Sequence, residues 1–144
     1  MAISFHSSSA EYRLRQLGKT RLWLAACADQ EGCELIDLKY IWCSDEELHR
    51  INLDFLGHDT FTDVIAFGYE EGSSIEAEVY ISIDRVRDNA KVLGHRYRQE
   101  LDRVMVHALL HLCGYRDKTA SEKNEMTEKE NFYLSLRDFS QGKK

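Results

Sequence analysis

Alternating apolar and polar positions predict strands and helices in turn along the first half of the chain. Ser8 and Glu11 form a capping box, and apolar residues at helical spacing follow, so a helix is expected to begin after Ser8. Residues 35–43 and 62–69 are rich in strand-forming side chains, and residues 76–83 alternate between apolar and polar positions. A turn at 71–74 would join the last two strands into a hairpin.

Capping residues and glycines delimit the remaining helices. Ser44 and Thr119 are each followed three positions later by a glutamate, which is the capping-box pattern. Gly94 and Gly114 can each end a helix in the left-handed conformation. These signals predict helices at 44–55, 84–93, 96–113 and 119–137.

The predicted order of elements is β-α-β-α-β-β-α-α-α, with an opening strand whose residues the pattern does not delimit. Strands cluster early and helices late, which indicates an α+β fold: a small mixed β-sheet of about four strands with helices packed on it. The chain has no proline, no Gly/Ser-rich linker and no internal repeat. We therefore expect a single domain at residues 1–139, followed by a disordered tail at 140–144.

Composition limits the partners and the location. The 144 residues are 43% apolar and 31% charged, which suits a soluble domain with its own core. No apolar run approaches the roughly 20 residues of a membrane span and no signal peptide is recognisable, so no membrane partner is expected. The four cysteines form no C-x-x-C pair. This favours reduced thiols in a cytoplasmic protein over disulfides.

The net charge of −6 disfavours nucleic acids, because phosphate contacts need lysine and arginine. Local charge leaves RNA open as a partner, whereas DNA is not expected. Basic residues outnumber acidic ones between positions 84 and 103, and four of them are candidates for contacts with an RNA backbone: Arg85, Arg87, Arg96 and Arg98. The alternative is an ordinary solvated helix face.

The stretch from His107 to Asp117 carries the clearest chemistry. His107 and His111 lie four positions apart on a predicted helix, so their side chains share one face, about 6 Å apart along the axis. Gly114 can end the helix, and Asp117 can then supply a third ligand from outside it. Two imidazoles and a carboxylate suit zinc, and three protein ligands leave a fourth position open, as in catalytic sites. The alternative is a pair of hydrogen-bonded core histidines.

The spacing H-x-x-x-H-x-x-G-x-x-D matches the ligand positions of the metzincin zinc-protease pattern H-E-x-x-H-x-x-G-x-x-H. A metzincin-like geometry of the zinc site is therefore expected. Ala108, however, stands where those proteases carry the glutamate that acts as general base. A zinc peptidase is for this reason a disfavoured alternative.

Three segments carry a resemblance to a known family. Residues 107–115 (HALLHLCGY) look like the signature H-G-x-L-H-x-x-G-Y-D-H. Residues 59–67 (DTFTDVIAF) are similar to D-x-P-T-D-V-L-S-F, and residues 77–82 (AEVYIS) to G-D-I-x-I-S. With these motifs in the right order over about residues 35–136, the chain resembles the YbeY-type rRNA maturation factors, which are zinc-dependent endoribonucleases.

The resemblance implies a function and a cofactor. It implies a cytoplasmic bacterial endoribonuclease directed at single-stranded RNA, acting in 16S rRNA 3′-end maturation and ribosome quality control. The partners would be rRNA and the small ribosomal subunit. It also implies one zinc ion per chain, held by His107, His111 and the residue at 117, on a helix that lies along the sheet.

Four positions depart from the family pattern. Asp117 stands where the family usually has histidine, Ala108 replaces a glycine, and Arg116 replaces an aspartate. Leu56 stands where the family usually has an arginine thought to serve in catalysis. We expect His58, two residues further on, to supply a cation or a proton donor in its place.

Asp63 and Glu78 are expected to support a ligand histidine by holding its ring in one tautomer. The alternative for Asp63 is a strand-start residue that bonds its own backbone. The uncharged side chain at Leu56 also keeps a further function open: a non-catalytic ribosome-assembly or RNA-binding factor with a structural zinc.

Overall fold

A four-stranded sheet and five helices make up residues 2–68 and 74–137, the part of the chain that this computed structural model describes. The strands are β1 (Ile3–Ser7), β2 (Glu34–Cys43), β3 (Val64–Gly68) and β4 (Ser74–Ser82). The helices are α1 (Leu17–Gln30), α2 (Asp45–Leu56), α3 (Ile83–Leu93), α4 (Tyr97–Leu112) and α5 (Ala120–Ser135). The predicted order of elements and the α+β class are confirmed.

The sheet is mixed, in the order β1-β2-β4-β3. β1 pairs with β2 and β2 with β4 in parallel, whereas β3 runs antiparallel to β4. The predicted hairpin therefore exists, with Ile65 opposite Tyr80. Most of its predicted turn, at 71–73, and the predicted tail at 140–144 lie outside the described residues.

Alternation along the strands creates the core. Every second residue of β4 is buried from Ile75 to Ile81, and Tyr40 and Trp42 of β2 are buried on the same sheet. Helix α4 packs against β3 and β4 and touches α1, α3 and α5. The hydroxyl of Tyr40 donates to the carbonyl of Met105 across 2.9 Å. The ligand-bearing helix thus lies along the sheet, as predicted, and is held on several sides.

The predicted start of the first helix is wrong. Residues before Ser8 form β1, and α1 begins only at Leu17, after Gln16 in the left-handed conformation (φ 55°). The hydroxyl of Ser8 instead donates to the carboxylate of Glu47 across 3.0 Å. Glu47 is thereby drawn away from the capping box expected at Ser44, of which only the bond from the Glu47 amide to the Ser44 hydroxyl forms.

The later helix boundaries are close to those predicted. Thr119 and Glu122 form a complete capping box for α5, and Gly94 ends α3 with φ 72°. The four cysteines are free thiols. Within residues 2–68 and 74–137, no helix is both long enough and apolar enough to cross a bilayer.

Candidate metal centre

The last turns of α4 bring two histidine rings together. His107 and His111 have ring centroids 4.7 Å apart and ring planes inclined by 76°. Their spacing of four residues places both on the face of α4 that is not packed into the core, while Ala108 and Leu109 between them are buried. The sequence expectation that the two imidazoles share one face is confirmed by this geometry.

Asp117 reaches the same point from the loop after the helix. Gly114 has φ 111°, a conformation that other residues rarely adopt, and it turns the chain back over the end of α4. One carboxylate oxygen of Asp117, Oδ2, lies 3.6 Å from Nε2 of His107 and 3.4 Å from Nε2 of His111. The three donor atoms lie within 4.8 Å of one another. Two nitrogens and one oxygen at this separation fit a zinc-like ion, because bonds of about 2 Å from each would converge between them.

These three side chains line an open cavity of about 650 Å³. The cavity is also lined by the end of α2 and by the segment leading into β3, which includes Leu56, His58 and Asp63. His58 is exposed, and Leu56 is 46% exposed. The predicted catalytic residues His58 and Asp63 thus line the same cavity as the candidate metal ligands.

Asp63 lies in the wall close to His107. Its carboxylate accepts a hydrogen bond from the side chain of Asn89 at 3.2 Å, and its backbone carbonyl accepts from Ser82 in β4 at 3.0 Å. Burial raises the pKa of Asp63, and the nearby charge of His107 opposes that rise. Glu78, the other predicted supporting carboxylate, accepts from the hydroxyl of Tyr80 at 2.7 Å and lines a different cavity.

The carboxylate that contacts a ligand histidine is Glu130 of α5, which the sequence did not single out. Its Oε2 lies 2.5 Å from Nδ1 of His107, and its Oε1 accepts from Nη1 of Arg103 at 2.8 Å. Glu130 is only 6% exposed. A signal existed in the sequence: Glu130 is four residues beyond Met126 and so falls on the buried stripe of α5, where an acidic residue needs a partner.

Electrostatics at His107 favour the protonated ring when no metal is bound. Burial by itself lowers the pKa of His107, but the hydrogen bond and charge of Glu130 outweigh it, with Asp117 and Asp63 adding to the rise. The net result is a pKa raised above 6.5. A proton therefore competes with a metal ion for this side chain.

None of the four arginines predicted to guide RNA is among the described residues that line the cavity, although the guanidinium of Arg85 lies 5.2 Å from the ring centre of Phe61, which does line it. Arg85 pairs with Asp45 at 2.6 Å, and Arg98 pairs with Asp102 at 2.8 Å. Arg87 and Arg96 are exposed, the first with its guanidinium 5.2 Å from the ring centre of Tyr97. Arg87 and Arg96 are thus the more accessible pair for a phosphate backbone.

Fold and site together define a small α+β domain in which a His-His-Asp cluster that could hold a metal ion lines an open cavity. A model of the family described as Endoribonuclease YbeY matches residues 3–137. The chain belongs to this family. A relative from Cytophaga hutchinsonii, named Endoribonuclease YbeY, is 47% identical over 138 residues, 95% of this chain and 96% of the relative. Another of that name, from Amoebophilus asiaticus, is 50% identical over 78% of this chain and 77% of its own.

A solved structure shares the fold. The solution structure of TM1509 from Thermotoga maritima superposes with a TM-score of 0.65 at 27% sequence identity, and the match covers 92% of this chain and 87% of the other. The sheet and the helix that bears the two histidines therefore belong to a known architecture.

Proposed function

We propose that this chain is a zinc-dependent endoribonuclease, a hydrolase of phosphodiester bonds, that cleaves single-stranded RNA. The observation that carries the proposal is the convergence of His107, His111 and Asp117 on one open cavity. Relatives that the chain matches over most of its length are named endoribonucleases, which supports the reaction class. The cellular role follows from the family: 16S rRNA 3′-end maturation and quality control of the small ribosomal subunit, in the bacterial cytoplasm.

The donor set supports one zinc ion per chain. His107 and His111 offer imidazole nitrogens, Asp117 offers a carboxylate oxygen, and the open side of the cluster faces the cavity. When bound there, zinc would supply a Lewis acid for a phosphate oxygen and would lower the pKa of a coordinated water. An oxygen ligand in place of a third imidazole also suits manganese or iron, so the identity of the metal is part of the proposal.

The residues of the chain bind and orient the substrate. His58 lines the same cavity as the cluster, where a protonated ring would offset charge on the phosphate and a neutral one would relay a proton. Asp63 lies beside His107 and adds negative charge that favours a cation at the cluster. Arg85, Arg87, Arg96 and Arg98 remain the proposed contacts to the RNA backbone, Arg87 and Arg96 being the exposed pair.

The test combines metal analysis with RNA cleavage. The purified protein should contain about one zinc ion per chain, and His111→Ala should lose it while remaining folded. Single-stranded RNA should be cut by the wild type, not by His111→Ala, and not in the presence of a chelator. Structured RNA of the same composition should be cut more slowly. A folded, metal-free wild type that still cleaves RNA would contradict the zinc proposal.

Leu56 favours a second function, a ribosome-assembly or RNA-binding factor that keeps its zinc for structure. This apolar side chain lies in the cavity wall, where the family usually presents an arginine. Co-sedimentation with the small ribosomal subunit without RNA cleavage would support that function over the nuclease. A peptidase is not supported, because Ala108 is 1% exposed and provides no general base next to the cluster.

A further inference from the structure

Glu130 is a buried carboxylate that receives hydrogen bonds from two other residues on the opposing helix. Oε1 accepts from Nη1 of Arg103 at 2.8 Å, and Oε2 contacts Nδ1 of His107 at 2.5 Å. Arg103 is itself fixed by a second bond, from Nη2 to the side-chain oxygen of Asn131 at 2.8 Å. Both oxygens of Glu130 are therefore committed, and their positions are set by α4 and α5 together.

This arrangement decides which nitrogen of His107 carries hydrogen. An ionised carboxylate has acceptors and no donor, so the ring nitrogen that faces it, Nδ1, must hold the hydrogen. A neutral imidazole has one hydrogen, which leaves the lone pair on Nε2. Nε2 is the atom that faces Asp117 and forms part of the three-donor cluster.

We propose that Glu130 is a positioning residue of the metal centre: it keeps the hydrogen of His107 on Nδ1 and so presents the lone pair of Nε2 to the ion. The inference rests on the metal site proposed above. Asp63, a carboxylate close to this ring that is not a proposed ligand, accepts a hydrogen bond from Asn89 through Oδ2. Arg103 contributes indirectly, because its guanidinium donates to Oε1 and so holds that oxygen away from the ring.

The variant Glu130→Gln separates this role from simple packing. An amide of the same shape has one oxygen, which cannot accept from both Arg103 and His107. The charged guanidinium is the stronger donor and should take the oxygen. The amide NH2 then faces Nδ1 and donates to it, which moves the hydrogen of His107 to Nε2, the nitrogen needed by the metal.

Nitrogen NMR of the metal-free protein, at a pH where the ring is neutral, reads this tautomer directly. We expect the hydrogen of His107 on Nδ1 in the wild type and on Nε2 in Glu130→Gln. Metal affinity, measured by competition with a chelator, should fall about 10- to 100-fold in Glu130→Gln. Glu128→Gln is the matched control, since it makes the same change at an exposed position of the same helix and should alter neither measurement.

A second change should reverse the effect. With Arg103→Ala added to Glu130→Gln, the amide oxygen is free to turn to Nδ1, so the tautomer and a large part of the metal affinity should return. A structural role for Glu130 predicts the opposite, because the double variant loses more contacts than the single one. Thermal unfolding of each metal-free variant confirms that the affinities are compared between folded proteins.

The outcomes separate this inference from the proposed function. If the wild type binds metal and Glu130→Gln keeps both the tautomer and the affinity, the positioning role is wrong while the metal site stands. If the wild type binds no metal, the proposed function fails, and the tautomer measurement still decides whether Glu130 directs the hydrogen of His107.

Discussion

Asp102 on α4 and Glu130 on α5 are two buried carboxylates, and they differ in what their partner residues contact in turn. Asp102 is held by Arg98 at 2.8 Å and by Arg137. Arg98 also donates to the hydroxyl of Thr20 at 2.5 Å, so this charge network closes among α1, α4 and the end of α5. Glu130 has one arginine partner, Arg103, and its second partner is a histidine whose other nitrogen faces the open cavity.

The comparison shows how burial of charge separates structure from function in this fold. Both carboxylates need partners, because an unpaired buried charge is costly. At Asp102 the two arginine partners join packed elements, so we expect this network to stabilise the packing of α1, α4 and the end of α5. At Glu130 the network ends at His107, a proposed metal ligand, so the same kind of contact would act on the chemistry of the site.

Loss of Asp102 should give the largest effect, on stability. Asp102→Ala leaves two arginines without their common acceptor, and unfolding in urea should show a loss of about 3 kcal/mol. Metal binding by the folded fraction should be unchanged, because no atom of this network touches the cluster. Asp88→Ala, at an exposed position of α3, is the control and should stay within about 0.5 kcal/mol of the wild type. A loss of metal affinity in Asp102→Ala would contradict the separation of the two networks.

Loss of His107 should produce the reverse pattern. In His107→Ala, Glu130 keeps Arg103 as partner, so stability should change little. Metal should be lost and RNA cleavage should fall by at least about 100-fold, the usual range for removal of a main catalytic group. The control is His6→Ala, an exposed histidine of β1. Cleavage that survives in His107→Ala at the wild-type rate would place the active site elsewhere.

How much of these two networks the sequence could predict depends on how far apart along the chain the contacting residues lie. The capping box at Thr119, the alternation of β4, the pair His107 and His111 and the stop at Gly114 depend on residues within a few positions, and each appears in the structure. The contact of Glu130 with His107 spans 23 positions, and that of Ser8 with Glu47 spans 39. Such pairs form only when the fold brings separate elements together. The buried stripe of α5 indicates that Glu130 needs a partner, but no local pattern identifies which residue that partner is.

Asp117 and the cavity around it show the same limit of local sequence patterns, because spacing predicted one part of the site and not the other. Spacing alone indicated that the chain could return to the histidines after Gly114, and the structure brings the three donors together. The positions of His58 and Leu56 in the lining of the cavity depend on how α2 packs beside β3, which no spacing encodes. The convergence of the three candidate ligands was therefore predictable, whereas the shape of the cavity was not.

The pH dependence of metal binding sharpens the contrast between the networks. The pKa of His107 is raised above 6.5 by Glu130 and the neighbouring carboxylates, against the effect of burial. The ring binds metal only without its proton, so apparent affinity should begin to fall while the pH is still above 6.5. One displaced proton gives a drop of about tenfold per pH unit below that pKa. Chelator competition at pH values from about 8 to about 5 would measure this fall in apparent metal affinity. An affinity that stays constant down to about pH 6 would contradict the coupling of His107 to Glu130.

Glu31 offers the smallest and most specific test, because it is a third carboxylate tied to the loop that carries Asp117. Its oxygens accept from the hydroxyls of Tyr133 and Tyr115, the latter at 2.8 Å, and Lys129 lies 3.4 Å away. Burial alone raises the pKa of Glu31, but these hydrogen bonds and the lysine outweigh it and lower the pKa below its ordinary 4.5. A lowered pKa means that Glu31 stabilises the fold above pH 4.5 and that this contribution is lost as the pH falls through the lowered value.

Glu31→Gln should accordingly cost about 1 kcal/mol of unfolding free energy at pH 7, and the difference from the wild type should shrink as both are measured at lower pH. Glu34→Gln, exposed and three residues away, is the control and should show no such trend. Because Tyr115 is two residues from Asp117, a loosened loop should also weaken metal binding, by less than the change at Glu130 because no ligand atom is touched. Glu31→Gln could instead leave stability unchanged and lower the metal affinity more than Glu130→Gln does. In that case the loop, rather than the tautomer of His107, would organise the site.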